Sequence, residues 1–124
     1  MKHVQCSFLG IGLALVTFST TAHHSAAMFD ATKTVTLTGT VKEFQWTNPH
    51  CWIQLLVPVE GDASNTEEWS VEMASPVQVL QGGWKPGTLK AGDKITVVVH
   101  PARDGTHGGN FVSAVAAGGE PIGR

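Results

Sequence analysis

One helix start, set in the middle of a run of strands, decides what this chain can become. Ser75-Pro76 puts a capping hydroxyl ahead of a proline at the first helical position, where the missing N–H costs nothing. A short helix follows through VQVLQ and ends at Gly82-Gly83, with Leu80 and Trp84 expected to plug a core. Three strand patterns precede it. VTLTGTV at 35–41 alternates apolar residues with threonine, and Gly39 falls on its apolar face, where a missing side chain permits a bend or bulge. The apolar phase then shifts to Phe44 and Trp46 before Thr47-Asn48-Pro49 breaks it. CWIQLLV at 51–57 reads as the second strand, EGDASNTE at 60–67 as a polar loop, and WSVEM at 69–73 as the third strand. After the helix, LKAGDK at 89–94 reads as a tight turn feeding ITVVVH at 95–100, and PARDGTHGG leads to a fifth strand, NFVSAV. The order β-β-β-α-β-β makes an all-β domain with one short helix, and it suits a five-stranded OB-type barrel. An immunoglobulin-like sandwich would want about seven strands and no helix at that point.

The start of the chain reads differently. MKHVQCS carries one lysine, an apolar run FLGIGLALVTF follows, and small polar residues come next, the order of a secretory signal peptide. The run is shorter than the about 20 apolar residues a membrane span needs. No later stretch is long and apolar enough to span either. Cleavage is expected at Ala22|His23, and a cut after Ala27 is the alternative, one that would delete both histidines. The chain then divides into a signal peptide at 1–22, an N-terminal segment with the histidine pair at 23–34, the barrel at 35–117 and a C-terminal tail at 118–124. An exported protein, periplasmic or secreted, is expected. Loss of Lys2 leaves seven basic against ten acidic side chains, a balance that argues against nucleic acid as a partner. Cys51 is the one cysteine left, which excludes an internal disulfide and points to burial.

His23-His24-Ser25, Phe29-Asp30 and Trp46-Thr47-Asn48-Pro49-His50-x-Trp52-Ile53 resemble the six-one-five-two family of domains of unknown function, small exported bacterial proteins. Trp69, Glu72, Ser75-Pro76, Gly83-Trp84, Leu89-Lys90-x-Gly92-Asp93 and Arg103-Asp104-Gly105 fit the same pattern, so the resemblance covers nearly the whole mature chain. It implies export and a fold but no established activity. It leaves Cys51 and His107 at variable positions, so neither is carried over as a family site residue.

In such a barrel, ligands lie across strands 2 and 3, bounded by the 1–2 and 4–5 loops. Asn48-Pro49-His50 is the first of these loops and residues 100–109 form the second, which places His50 and His107 on two rims. Cleavage at Ala22 would give His23 a free α-amine beside its imidazole, a nitrogen chelate suited to Cu(II). A further imidazole from His24, His50 or His107 would complete a three-nitrogen site of the kind called a histidine brace. The candidate metal ligands are therefore His23, His24, His50 and His107, with His23 and His50 principal and His24 a substitute. A solvated tail is the plain alternative for the histidine pair. His50 could equally hydrogen-bond a loop, and His107 could be a surface residue. His100, opposite in parity to Ile95, Val97 and Val99, is expected to face solvent.

A second, metal-free possibility uses the tryptophans to bind a peptide, glycan or protein partner of the cell envelope. Trp69 and Trp84 have core positions, which leaves Trp46 and Trp52 for a ligand face. Trp52 alternates away from Ile53, Leu55 and Val57, so it should cover a ligand or the N-terminal segment, docked there through Met28 and Phe29. Glu72 shares Ser70's parity, away from the core. It reads as a solvated glutamate, or as an acceptor for a histidine ring. A redox enzyme using the same brace is a third class. The chain carries no Gly-x-Ser-x-Gly elbow, His-Glu-x-x-His helix or phosphate loop. Cys51 beside His50 is no catalytic pair, because neighbouring strand residues point to opposite faces.

Overall fold

The structure, a computed structural model, describes residues 27–123. The expected signal peptide at 1–22, His23 and His24 lie outside the described residues. Five strands form: β1 (Val35–Gln45), β2 (Trp52–Val59), β3 (Asp62–Glu72), β4 (Lys94–Pro101) and β5 (Gly108–Ala116). One helix, α1 (Pro76–Gln81), stands between β3 and β4. The strands close into a barrel in the order β1-β2-β3-β5-β4, antiparallel throughout except for β3 beside β5. The all-β barrel with one short helix, expected from the order of elements, is the fold.

β1 serves two neighbours. Its first half pairs with β4, from Val35↔Val99 to Thr40↔Lys94, and its second half with β2, ending at Gln45↔Trp52. The register shifts between Val41 and Glu43, and the turn before β4 pins that bend. There Gly92 N–H donates to the Val41 carbonyl and Val41 N–H to the Asp93 carbonyl, both at 2.8 Å. Gly39 lies just before the bend because a Cβ would run into the Leu56 carbonyl and stand 3.0 Å from Leu55 Cγ. Gly109 is held to glycine by a different neighbour, since its Cβ would lie 2.6 Å from Val99 Cγ2. Val99 is fully buried and β-branched, so it has no free rotamer to swing into. Gly109→Ala is expected to cost about 1–3 kcal/mol as an overpacked core, read from the urea midpoint. Gly108→Ala, where the nearest atom would be 3.7 Å away, is the control and should move the midpoint little.

The core holds Leu37, Val41, Ile53, Leu55, Val71, Ile95, Val97 and Val99 inside the barrel. Trp84, after the helix, closes one end, its ring centroid 5.8 Å from Phe44 and 5.4 Å from Phe111. Leu80 does not share that role as expected: it is 54% exposed, and Val79 is the helix residue that packs inward. With six residues the helix is too short for periodicity to fix its apolar side. Its first turn is held by Val79 N–H donating to the Ser75 carbonyl at 2.9 Å.

The stretch expected as a polar loop at 60–67 is mostly strand. β2 turns directly into β3 at Gly61, whose φ of 82° needs no Cβ penalty, and Pro58 pairs with Thr66 across the hairpin. Both faces of this tip meet water, so the alternation that marks a half-buried strand is absent. Among the described residues, no helix is long and apolar enough to cross a membrane.

Candidate functional site

His50 reaches its position through a short turn containing the cis Asn48–Pro49 bond. Thr47 Oγ1 donates to the His50 carbonyl at 2.8 Å, and the next residue ties the turn to the end of β3. Cys51 N–H donates to the Ala74 carbonyl and Met73 N–H to the Cys51 carbonyl. Cys51 therefore points inward and is buried, and burial pushes its thiol pKa up, away from the reactive thiolate. His50, one residue earlier, turns outward.

There it meets Glu72. The buried His50 Nδ1 sits against Glu72 Oε1 as an imidazole–carboxylate pair. Glu72 is only 6% exposed, which corrects its reading as a solvated glutamate. Its side chain does point away from the barrel interior, as parity requires. Yet the outward side of β3 is covered here, because it lies between the His50 turn and β5. Asn110 on β5 is the register partner of Glu72 and donates from Nδ2 to its carbonyl at 3.4 Å. A buried carboxylate is costly unless a partner offsets the loss of water, and His50 is such a partner.

Trp52 is the register partner of Glu72 on the other side and is half-buried on the same outward face. Trp46 behaves otherwise: it packs on the core, edge to face with Phe44 at 5.9 Å, so its ring belongs to the barrel end. Of the expected ligand face, Trp52 and Glu72 come together beside His50, and Trp46 does not join them.

His107 stands apart. Its ring stacks on Trp69 at 5.0 Å, and Nε2 lies 3.4 Å from Glu67 Oε2. Glu67 and Glu72 are five residues apart on β3, an odd separation that puts them on opposite sides of the strand. The structure thus gives the two rim histidines different carboxylates and does not bring them together. His100 lies on the outward side of β4, as expected, and its Nδ1 is 2.7 Å from the Lys33 carbonyl. A carbonyl only accepts, so Nδ1 carries the proton and the ring anchors the N-terminal segment.

That segment is docked, though not on Trp52. Phe29 forms an isolated bridge with Ala102, Asp30 N–H donates to the Pro101 carbonyl, and Arg103 N–H donates to the Met28 carbonyl. Phe29 is 7% exposed while Met28 is open to solvent, so one of the two expected anchors holds. Asp30 closes the clasp. Its carboxylate accepts the Thr32 hydroxyl at 2.6 Å and the Thr32 N–H at 3.1 Å, with Lys33 and Arg103 nearby. These bonds, the Thr32 hydroxyl first, lower its pKa from 3.8 to about 2. A lowered carboxylate pKa stabilises the folded form above the ordinary value and loses that contribution as pH falls through the folded one. The clasp should therefore survive pH 4 and open only near pH 2. Carboxyl NMR of Asp30 checks this by its titration midpoint.

The face presents one imidazole whose Nδ1 lies against a buried carboxylate. Among the described residues, no group of three or more His, Cys, Asp or Glu side chains could hold a metal ion.

A family model, that of the family of unknown function DUF6152, matches residues 12–111. No curated protein matches the chain. Among solved structures, the chain is similar to the crystal structure of Rim1, the mitochondrial single-stranded DNA binding protein of S. cerevisiae. Identity is 12% and the TM-score 0.50, over 68% of this chain and 94% of that one. At that identity the likeness concerns the barrel fold alone.

Proposed function

Taking as premise that the chain belongs to the family of unknown function DUF6152, we propose that it is an exported copper-binding protein. His50 supplies one nitrogen, and the amine and ring of His23 supply two more once the signal peptide is cut at Ala22. His24 can replace the His23 ring. The observation that carries this reading is the buried Glu72 carboxylate against His50 Nδ1. A carboxylate there keeps the proton on Nδ1 and leaves the Nε2 lone pair for a metal. This is how histidine ligands are commonly oriented, and it raises their basicity. Nitrogen ligands in a thiol-poor set favour Cu(II), and Cys51, the thiol that remains after such a cut, is turned inward.

The docked segment at Phe29 and Asp30 supports the same reading, since it tethers the chain that carries the two histidines to the barrel. The acidic side chains of Glu68 and Glu72, on the outward side of β3, speak against a phosphate polymer on this face. The test is competitive Cu(II) titration against a chelator, using protein exported and processed by the cell. Glu72→Gln keeps the shape of the side chain and removes its charge. It should weaken Cu(II) binding about 10–100-fold, the usual cost of losing a ligand's orienting partner. Unchanged affinity in that variant would remove the main support for His50 as a ligand.

A further inference from the structure

A line of hydrogen bonds crosses the outward face of β1, β2 and β3 beside Trp52. Gln45 Nε2 donates to Glu43 Oε2 at 3.2 Å, Gln54 Nε2 donates to Gln45 Oε1 at 3.1 Å, and Ser70 Oγ donates to Gln54 Oε1 at 2.6 Å. The direction is set from one end. The Glu43 carboxylate can only accept, so Gln45 must show it an N–H, which turns the Gln45 oxygen to Gln54 and the Gln54 oxygen to Ser70. Both amides are thereby locked in one orientation. Among the described residues these bonds use one N–H and one oxygen lone pair of each amide and neither lone pair of Ser70. Trp52, in register with Gln45 and with Glu72, stands in the same patch and is not part of the packed core.

We propose that this face binds a neutral saccharide, with one sugar ring on Trp52 and its hydroxyls paired to Gln45, Gln54 and Ser70. A sugar hydroxyl both donates and accepts, which is what an alternation of fixed amide donors and acceptors serves. The apolar face of a pyranose packs on an indole. Neighbouring strands are about 4.8 Å apart, close to the length of one pyranose ring in a β-linked chain, so a glycan crossing the strands meets equivalent groups at each step. Other polymers fit less well. Glu43, Glu68 and Glu72 repel an anionic chain, and Lys42 on this side is already held by Glu68 at 2.7 Å. A peptide adding as a strand needs a free edge, and beside this patch both β2 at Trp52–Gln54 and β3 at Ser70–Glu72 are paired on each side. The saccharide site does not depend on copper, so it is tested with EDTA present.

Four neutral hexasaccharides, of glucose, N-acetylglucosamine, xylose and mannose in β-linkage, are titrated calorimetrically at millimolar concentration into wild type, Trp52→Ala and Gln54→Leu. Thermal midpoints verify that each variant folds, and Trp52→Phe serves as the ring-keeping substitute if Trp52→Ala does not. At least one hexasaccharide should bind with little dependence on salt. Trp52→Ala should lose about tenfold in affinity, and Gln54→Leu, which cuts the line of amides at its middle, a similar factor. Trp52→Phe should lose less. Absence of binding by all four, or equal binding by wild type and the folded variants, overturns the proposal. Salt-sensitive binding of a cationic peptide in their place does so too.

Discussion

His50→Ala is expected to cost on the order of 100- to 1,000-fold in Cu(II) affinity, more than the 10–100-fold assigned to an orienting partner, because it deletes the proposed ligand outright. Two effects add. One nitrogen of three is lost, and the buried Glu72 carboxylate loses the imidazole against which it sits. The second effect also touches stability. Removing the partner of a buried charged group costs about 3–5 kcal/mol when the site is dry. His50 is about a third exposed, so the cost here should fall well below that range. The comparison with Glu72→Gln separates the two roles. If His50 is a ligand, removing it must cost far more affinity than Glu72→Gln, while both variants lose comparable stability. Equal small losses of affinity would make the pair a structural contact.

Phe29→Ala should have the second large effect, and it acts at a distance from the metal. Phe29 is buried outside the main core cluster, against the end of β4, and its bridge to Ala102 is the apolar part of the clasp. Truncating a buried phenylalanine costs about 3 kcal/mol or more. Since each 1.4 kcal/mol is tenfold, docking of residues 27–33 should weaken by roughly a hundredfold. The barrel itself should keep its melting midpoint, because the lost contacts are not shared with the interior. Amide hydrogen exchange reads this directly: the Asp30 and Arg103 amides, bonded to Pro101 and Met28, should lose protection while Val97 and Ile53 keep theirs. Copper affinity should fall with it, since an undocked segment holds His23 at lower effective concentration near His50. A melting midpoint that drops with unchanged exchange at Asp30 would place Phe29 in the global core instead.

The sequence made the barrel legible wherever one face of a strand was buried. VTLTGTV and ITVVVH carry the period of two, and Ser75-Pro76 marks the helix without help from the rest of the chain. Parity also separated His50 from Cys51 correctly. It failed where facing outward and meeting solvent come apart. Glu72 points outward and is still buried, because β5 runs parallel beside β3 and the His50 turn folds over it. That parallel pairing joins residues 38 apart, and nothing local in WSVEM announces it. The hairpin tip at 60–66 failed for the opposite reason, being strand without a buried face. Phe29-Asp30 showed no strand period either, since one bridge, one phenylalanine and one Asp–Thr clasp do the anchoring.

The central claim is that His50 holds copper together with the processed N-terminus. Electron paramagnetic resonance on exported protein, loaded with less than one equivalent of Cu(II) and carrying ¹⁵N in its histidines, tests it most directly. The account predicts nitrogen couplings from two imidazoles and an amine, with one imidazole coupling absent in His50→Ala. A spectrum identical in wild type and His50→Ala, or couplings from the amine terminus alone, would contradict it.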